Sequence, residues 1–138
     1  MGTIENTSTF TEFDADAVLE TLREIAGGQI LAFAEYDAET YNIMYLDERM
    51  SQQLGESVAD IEEFADKIHS DYRLDFTEKE MYEDVYTELG EVRAFAAFFE
   101  GSTIFRFVGE TAGLYVSLTM DAPFNAVIEA VYDVIEEA

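Results

Sequence analysis

The sequence predicts an α+β domain: one five-stranded, mostly antiparallel sheet with helices before it, after its second strand and at its end, in the order α-β-β-α-α-β-β-β-α. Three observations predict it. Residues 91–120 hold three short apolar runs, parted by Gly101 and by the Gly-Glu-Thr-Ala-Gly stretch 109–113. Two more runs, "QILAFAEY" and "TYNIMYL", are joined by "DAE". The segments around and between these runs repeat apolar residues at helical spacing. Strands and helices distributed in this way pack as two or three layers around one sheet.

Local signals justify each element in turn. Residues 1–13 are polar and rich in Thr and are expected to form a flexible N-terminal segment, with one domain over 14–138. Asp14 or Asp16 can cap a first helix in which Val18, Leu19, Leu22, Ile25 and Ala26 share a face, and Gly27-Gly28 stops it. After the first two strands, "DERMSQQLG" reads as a short helix ended by Gly55. Ser57 then caps a longer helix whose stripe is Val58, Ile61, Phe64, Ala65 and Ile68. Thr77 and Glu80 make a capping box for a further helix, with Met81, Val85 and Leu89 on its inner face and Gly90 at its end. Strands are expected over about 91–100, 103–109 and 113–120. Pro123 suits the first turn of a last helix that buries Phe124, Val127, Ile128, Val131, Val134 and Ile135.

The strand at 91–100 raises a packing question. Arg93, Phe95, Ala97 and Phe99 take one face, and Val92, Ala94, Ala96 and Phe98 the other. A sheet wet on one side would carry polar residues on one parity. The first and last helices are therefore expected on one face and the middle helices on the other, or a second subunit covers what remains.

Charge is the strongest compositional signal. There are 31 Asp and Glu against 7 Lys and Arg, a formal net charge of −24, in a chain that is 49% hydrophobic. That apolar content is globular, so the charge does not imply disorder. Self-repulsion of this size is tolerable where salt shortens the Debye length to about 3 Å near 1 M. The acids occur in every segment and form no tail, which reads as a solvated surface adapted to a salty cytoplasm rather than a site for cations or a basic partner. Nucleic acid is not expected as a direct ligand, because phosphate binding needs a basic stripe. The absence of cysteine excludes disulfides, thiolate catalysis and Cys-ligated metals. No apolar run approaches the ~20 residues that span a bilayer, and the first residues lack a basic region followed by an apolar one. A cytoplasmic protein without membrane contact is expected.

Motifs for chemistry are missing. The single histidine, His69, falls near a helix C-terminus, where a cation is favoured without any further role. There is no nucleophile elbow, no phosphate-binding Gly-Lys loop and no Asp-rich calcium loop, although an all-carboxylate calcium or magnesium site is left open. No catalytic residue, metal ligand or cofactor is assigned, and no enzyme is expected. Two residue sets are candidate sites. Tyr36, Tyr41 and Tyr45 on the first hairpin could line a pocket, or be core-edge residues whose hydroxyls reach water. Arg93, Phe95, Phe99 and Arg106 could form an interface. Arg93 and Glu100 also bracket the apolar "AFAAFF" as charged gatekeepers. Arg106 interrupts "TIFRFV", where it pairs with a carboxylate from a helix, marks an interface rim or meets a ligand.

At "YDAETYNIMYLDERM" and "LGEVRAFAAFFEGSTIFRFVGETAGLYVSLTMD" the chain resembles small uncharacterised proteins of haloarchaea. These pair a Y-x-x-x-x-Y-x-x-x-Y-x-x-D hairpin, here Tyr36, Tyr41 and Tyr45 with one residue less of spacing, with an F-E-x-G strand turn, here Phe99-Glu100-Gly101. The resemblance covers about residues 15–137 and implies a halophilic source, without an activity. The order of elements is also similar to roadblock/longin-type members of the profilin-like folds, dimeric scaffolds that regulate small GTPases. That likeness implies a homodimer and, by topological analogy alone, a small-GTPase partner; the extra middle helix departs from it. PAS- and GAF-like sensors share a related strand arrangement.

The functional expectation is a non-enzymatic regulatory or scaffold module, acting through protein contacts as a homodimer that buries the face or edge of residues 92–99. The alternative is a PAS/GAF-like small-molecule sensor with an enclosed pocket lined by the hairpin tyrosines. The charge carries a prediction of its own: the melting temperature, followed by circular dichroism, should rise from tens of millimolar to molar KCl as screening relieves self-repulsion. A melting temperature indifferent to salt would remove the salt-adapted reading.

Overall fold

Apolar residues on both parities of the strands find cover on both sides of one sheet. The structure, a computed structural model, describes residues 2–55 and 57–137; Met1, Glu56 and Ala138, the last with the end of the expected final helix, lie outside the described residues. The strands are β1 (Gly2–Glu5), β2 (Ile30–Tyr36), β3 (Tyr41–Asp47), β4 (Ala94–Phe98), β5 (Thr103–Val108) and β6 (Gly113–Leu118). They form one antiparallel sheet in the order β1-β3-β2-β6-β5-β4. The helices are α1 (Ala15–Ala26), α2 (Glu48–Leu54), α3 (Val58–Tyr72), α4 (Asp75–Val85) and α5 (Phe124–Glu137). The α+β class holds, and the expected five strands become six. The added strand is four residues long, shows no alternation of its own and gains its place by pairing with β3.

On one face α1 and α5 cover the sheet. Val18, Leu22, Val127 and Val131 are fully buried against Phe33, Leu114, Val116 and Leu118. Asp14 caps α1 by accepting from the Ala17 amide at 3.1 Å. On the other face, α2, α3 and the start of α4 pack on Ala32, Tyr36, Leu46 and Tyr115 through Met50, Leu54, Ile61, Ile68, Tyr72 and Phe76. Gly55 ends α2 at φ 110°, a left-handed conformation that favours glycine. Ser57 caps α3 through the Asp60 amide.

Four expectations are corrected within the elements. The α3 stripe is only half right: Ile61 is buried, while Val58 and Phe64 are exposed. The Thr77–Glu80 capping box does not start α4, which begins at Asp75 after Leu74 without a side-chain cap. Met81, Val85 and Leu89 are not an inner face; all three are exposed. β4 is also shorter than 91–100, because the Val92 amide donates to Glu83 at 2.9 Å and the Phe99 amide closes the turn onto the Ser102 carbonyl at 2.8 Å.

Polar clasps hold the segment between β1 and α1 across one end of the sheet. The buried Glu35 accepts from Ser8 Oγ, the Thr9 amide and Asn42 Nδ2 at 2.7–2.8 Å. Glu12 accepts from the amides of Glu110, Thr111 and Ala112 and from Thr111 Oγ1. Burial pushes the Glu12 pKa up, and these four hydrogen bonds outweigh it and hold it below the ordinary value.

Asp47, at the β3–α2 corner, is a third such carboxylate. Burial opposes its charge, but the Arg49 side chain at 2.7 Å, the Arg49 amide at 3.0 Å and the Tyr45 hydroxyl at 2.9 Å lower its pKa from 3.8 to about 2. A folded-state pKa below the unfolded one contributes stability that is present above about pH 4 and lost as the pH falls toward about 2. Urea unfolding of Asp47→Asn at fixed salt should show reduced stability at neutral pH and a shallower loss over that acid window. An acid limb parallel to that of the unaltered chain would contradict the assignment.

Candidate protein-interaction surface

β4 is an edge strand, and its register states which backbone groups are free. The Val108 amide donates to the Arg93 carbonyl and the Phe99 amide to the Ser102 carbonyl. Those pairs continue the β4–β5 register, in which Phe95 faces Arg106 and Ala97 faces Ile104. Hydrogen-bonded pairs alternate in an antiparallel ladder. Phe95 and Ala97 therefore bond inward to β5, and Ala94, Ala96 and Phe98 point their N–H and C=O groups outward.

Large apolar side chains gather beside this edge. Tyr82 of α4 packs on Phe95 with ring centroids 5.6 Å apart, and Tyr82 stacks with Tyr86 at 6.1 Å. Tyr82, Tyr86 and Leu89 wall a groove floored by Ala94, Phe95 and Ala96. Met81 and Val85 continue the stripe along α4. Val85 is 73%, Leu89 79% and Phe98 64% exposed, and Met81, Tyr82, Tyr86 and Phe99 are also open to solvent. Side chains of this size exposed together amount to several hundred Å² of apolar surface, on the order of the ~800 Å² that each partner gives to a standard interface.

The residues of the two expected sites are placed as follows. Phe95 and Phe99 lie on and just beyond β4, Phe95 partly buried and Phe99 exposed. Arg93 turns instead to α5, pairing with Glu136 at 2.7 Å over the Tyr132 ring. Tyr36 and Tyr41 line an apolar cavity of about 70 Å³ under α3, together with Ile61, Ile68, His69 and Tyr72. Tyr45 is not in it. A bulge at Met44 puts Phe33 opposite Tyr45 but Ala34 opposite Ile43, so Tyr45 flips to the α1/α5 face, where Arg23 lies 5.4 Å over its ring. His69 Nε2 donates to the Asp37 carbonyl at 2.8 Å, joining α3 to the first hairpin. Tyr41 donates to Asp66, and burial followed by this bond pushes its pKa up to about 12. Among the described residues no group of three or more His, Asp or Glu converges as a metal site, and no helix is long and apolar enough to cross a membrane.

Sequence reasoning missed Asp75, the residue that seats α4 beside the edge. It is 2% exposed, and Arg106 holds it with Nε to Oδ2 at 3.0 Å and Nη2 to Oδ1 at 3.2 Å. The Tyr36 hydroxyl adds a third bond at 2.6 Å. Gly113 makes that reach possible, since a Cβ there would meet Tyr36 Cζ at 2.5 Å. The Arg106 guanidinium also lies 4.5 Å over the Tyr72 ring and 5.4 Å over that of Phe95. Burial works against the charge on Arg106, yet the hydrogen bonds it donates to Asp75 and the charge of that carboxylate raise its pKa. Burial, then the Asp75 carboxylate, raises that of Tyr36. A lone arginine in a strand was the available signal, but any of 31 acids could have answered it.

Removing one partner of such a pair leaves a buried charge unmatched. Asp75→Ala should cost roughly 3–5 kcal/mol in urea unfolding at molar KCl, and Asp75→Leu with Arg106→Met should recover most of it. A single-variant cost below about 1 kcal/mol, the range of exposed pairs, would show that the clamp does not hold α4.

Comparison with known proteins places this geometry. The fold matches a Roadblock/LC7 domain from Streptomyces avermitilis at TM-score 0.60 and 10% identity, over 88% of this chain and 92% of that one. It matches Myxococcus xanthus MglB at TM-score 0.55 and 13% identity, over 94% of both chains. A structure described as MglB with tetrameric arrangement matches at 0.53 and 16% identity, over 97% and 92%. At these identities the likeness is one of fold. No curated protein matches the sequence. The model of the family described as Domain of unknown function (DUF7522) matches residues 16–136, nearly the whole chain, and the protein belongs to that family.

Proposed function

We propose that the chain is a non-enzymatic regulatory or scaffold module that works through protein contacts as a homodimer, in the salt-rich cytoplasm of a halophilic archaeon. The observation that carries this reading is the open, apolar β4 edge flanked by the exposed stripe of α4. The roadblock fold supports it. A small GTPase as the regulated partner follows by topological analogy only.

The edge suits pairing with itself. Two β4 strands related by a two-fold axis at Ala96 run antiparallel and present Ala94, Ala96 and Phe98 to each other, closing hydrogen bonds on both sides of the axis. In that register Phe98 meets the partner's Ala94 and Phe95 meets the partner's Ala97, so each large side chain opposes a small one. A shift that centres on Phe95 would set Phe95 against the partner's Phe95 and shorten the ladder. Phe99 lies at the end of the pairing strand, Arg93 at its beginning, and Arg106 backs Phe95 from the neighbouring strand. The sensor alternative has less support: the cavity bearing Tyr36 and Tyr41 is about 70 Å³, against the ~300–1,000 Å³ usual for small-molecule sites.

Light scattering and sedimentation at molar KCl should return twice the chain mass of 15.6 kDa. Ala96→Pro removes only an outward N–H, so the fold should persist while two intersubunit bonds of about 1 kcal/mol each disappear, weakening the dimer at least ~30-fold. Val85→Lys, at a solvent-facing position, should also weaken it without unfolding. A strict monomer at high protein concentration would overturn the proposal.

A further inference from the structure

The acids around the same surface carry a consequence for its regulation. Glu78, Asp84, Glu88 and Glu91 are all exposed along the α4 stripe and its approach to β4, and Glu100 stands at the far end of the strand. The nearby cations are committed within the chain: Lys79 Nζ lies 2.6 Å from Glu83, and Arg93 pairs with Glu136. Each protomer brings a formal charge of −24 to the encounter. Two copies meeting through this surface therefore face acid against acid around an apolar centre.

We infer that salt gates the interface: two copies of this chain pair through β4 and α4 when cations screen its acidic rim, and separate when they do not. The inference rests on the dimer reading above. Packed helices lie about 8–10 Å apart, and paired strands about 4.8 Å. A Debye length of about 8–10 Å, at 0.1–0.15 M salt, spans that gap and leaves the two rims in each other's field; about 3 Å, near 1 M, does not. Interfaces with complementary charges weaken as salt rises. This one strengthens, because salt removes the repulsion and leaves the strand pairing and apolar contact in place. The partner selected is correspondingly narrow at high salt: a chain with the same open edge, whose rim charge is masked by the medium.

Sedimentation equilibrium tests this over KCl concentrations from the lowest at which circular dichroism stays native up to about 2 M. The dimer dissociation constant should fall at least ~10-fold across a tenfold rise in salt. Neutralising the rim (Glu78→Gln, Asp84→Asn, Glu88→Gln and Glu91→Gln together) should give a dimer already at low salt and flatten the dependence. Neutralising four exposed acids elsewhere (Glu20→Gln, Glu24→Gln, Glu39→Gln and Glu48→Gln) changes net charge equally and should keep the slope. A rim variant that retains the full slope, or a dimer whose affinity ignores salt, overturns the gating and leaves the dimer standing. Monomers at every salt concentration overturn both.

Discussion

A single sheet whose strands are apolar on both faces has to be covered twice. Its side chains alternate faces, so every strand of β2, β6 and β5 contributes to two cores at once. On one side the solution is dense aliphatic and aromatic packing under α1 and α5, with Phe33, Leu22, Val127 and Val131 out of water. On the other, three helices of unequal length share the task, and their cover thins toward β4. There Phe95 meets Tyr82 from the helical layer and the Arg106 guanidinium from the neighbouring strand β5. What remains bare is a property of how far α4 reaches rather than of any surplus in composition.

The second layer depends on a polar contact in an otherwise apolar place. Arg106 sits between Tyr72 and Phe95, and Asp75, supported by Tyr36, meets its charge. That requirement fixes the start of α4 and reverses the helix's usual logic. The side turned to the sheet bears Asp75, Lys79 and Glu83, tied to Arg106, to each other and to the Val92 amide. The side turned to solvent bears Met81 and Val85. An ion pair of this kind adds little net stability over an apolar pair of the same volume. What it does here is orient α4, and with it the stripe beside the β4 edge.

Much of the architecture was legible because hydrophobic period and punctuation agree: Asp14, Gly27, Gly55 and Ser57 begin or end helices as expected, and five strands match the expected runs, with β3 reaching one residue further to Asp47. The failures share a cause. Period reveals that α4 has an apolar side but not which body covers it, so Met81, Val85 and Leu89 read as core when they face water. A one-residue bulge at Met44 is invisible in a run of seven residues, yet it moves Tyr45 away from Tyr41. β1 has no pattern because its place comes from β3, more than 35 residues later in the chain. Asp75 could not be singled out from sequence, since abundance of acids removes the information that an acid normally carries.

The two edges of the sheet are built in opposite ways, and the contrast bears on the proposed dimer. Proteins guard free edges by keeping them short, irregular, charged or proline-bearing. β1 obeys this: it is four residues long, its register against β3 is broken between Gly2 and Ile4, and the chain leaves it at once for polar clasps. β4 does none of these things. Its five residues pair with β5 without a break, its outward backbone groups belong to Ala94, Ala96 and Phe98, and no charge or proline lies within it. Arg93 and Glu100 guard only the two ends, so they limit the length of what can add without preventing addition. In a chain that places acids in every other exposed element, five uncharged residues on an open edge are the exception. An edge left flat, apolar and bracketed to a fixed length favours a finite strand pair over open-ended stacking, and a two-fold copy of itself satisfies that condition with each phenylalanine set against an alanine.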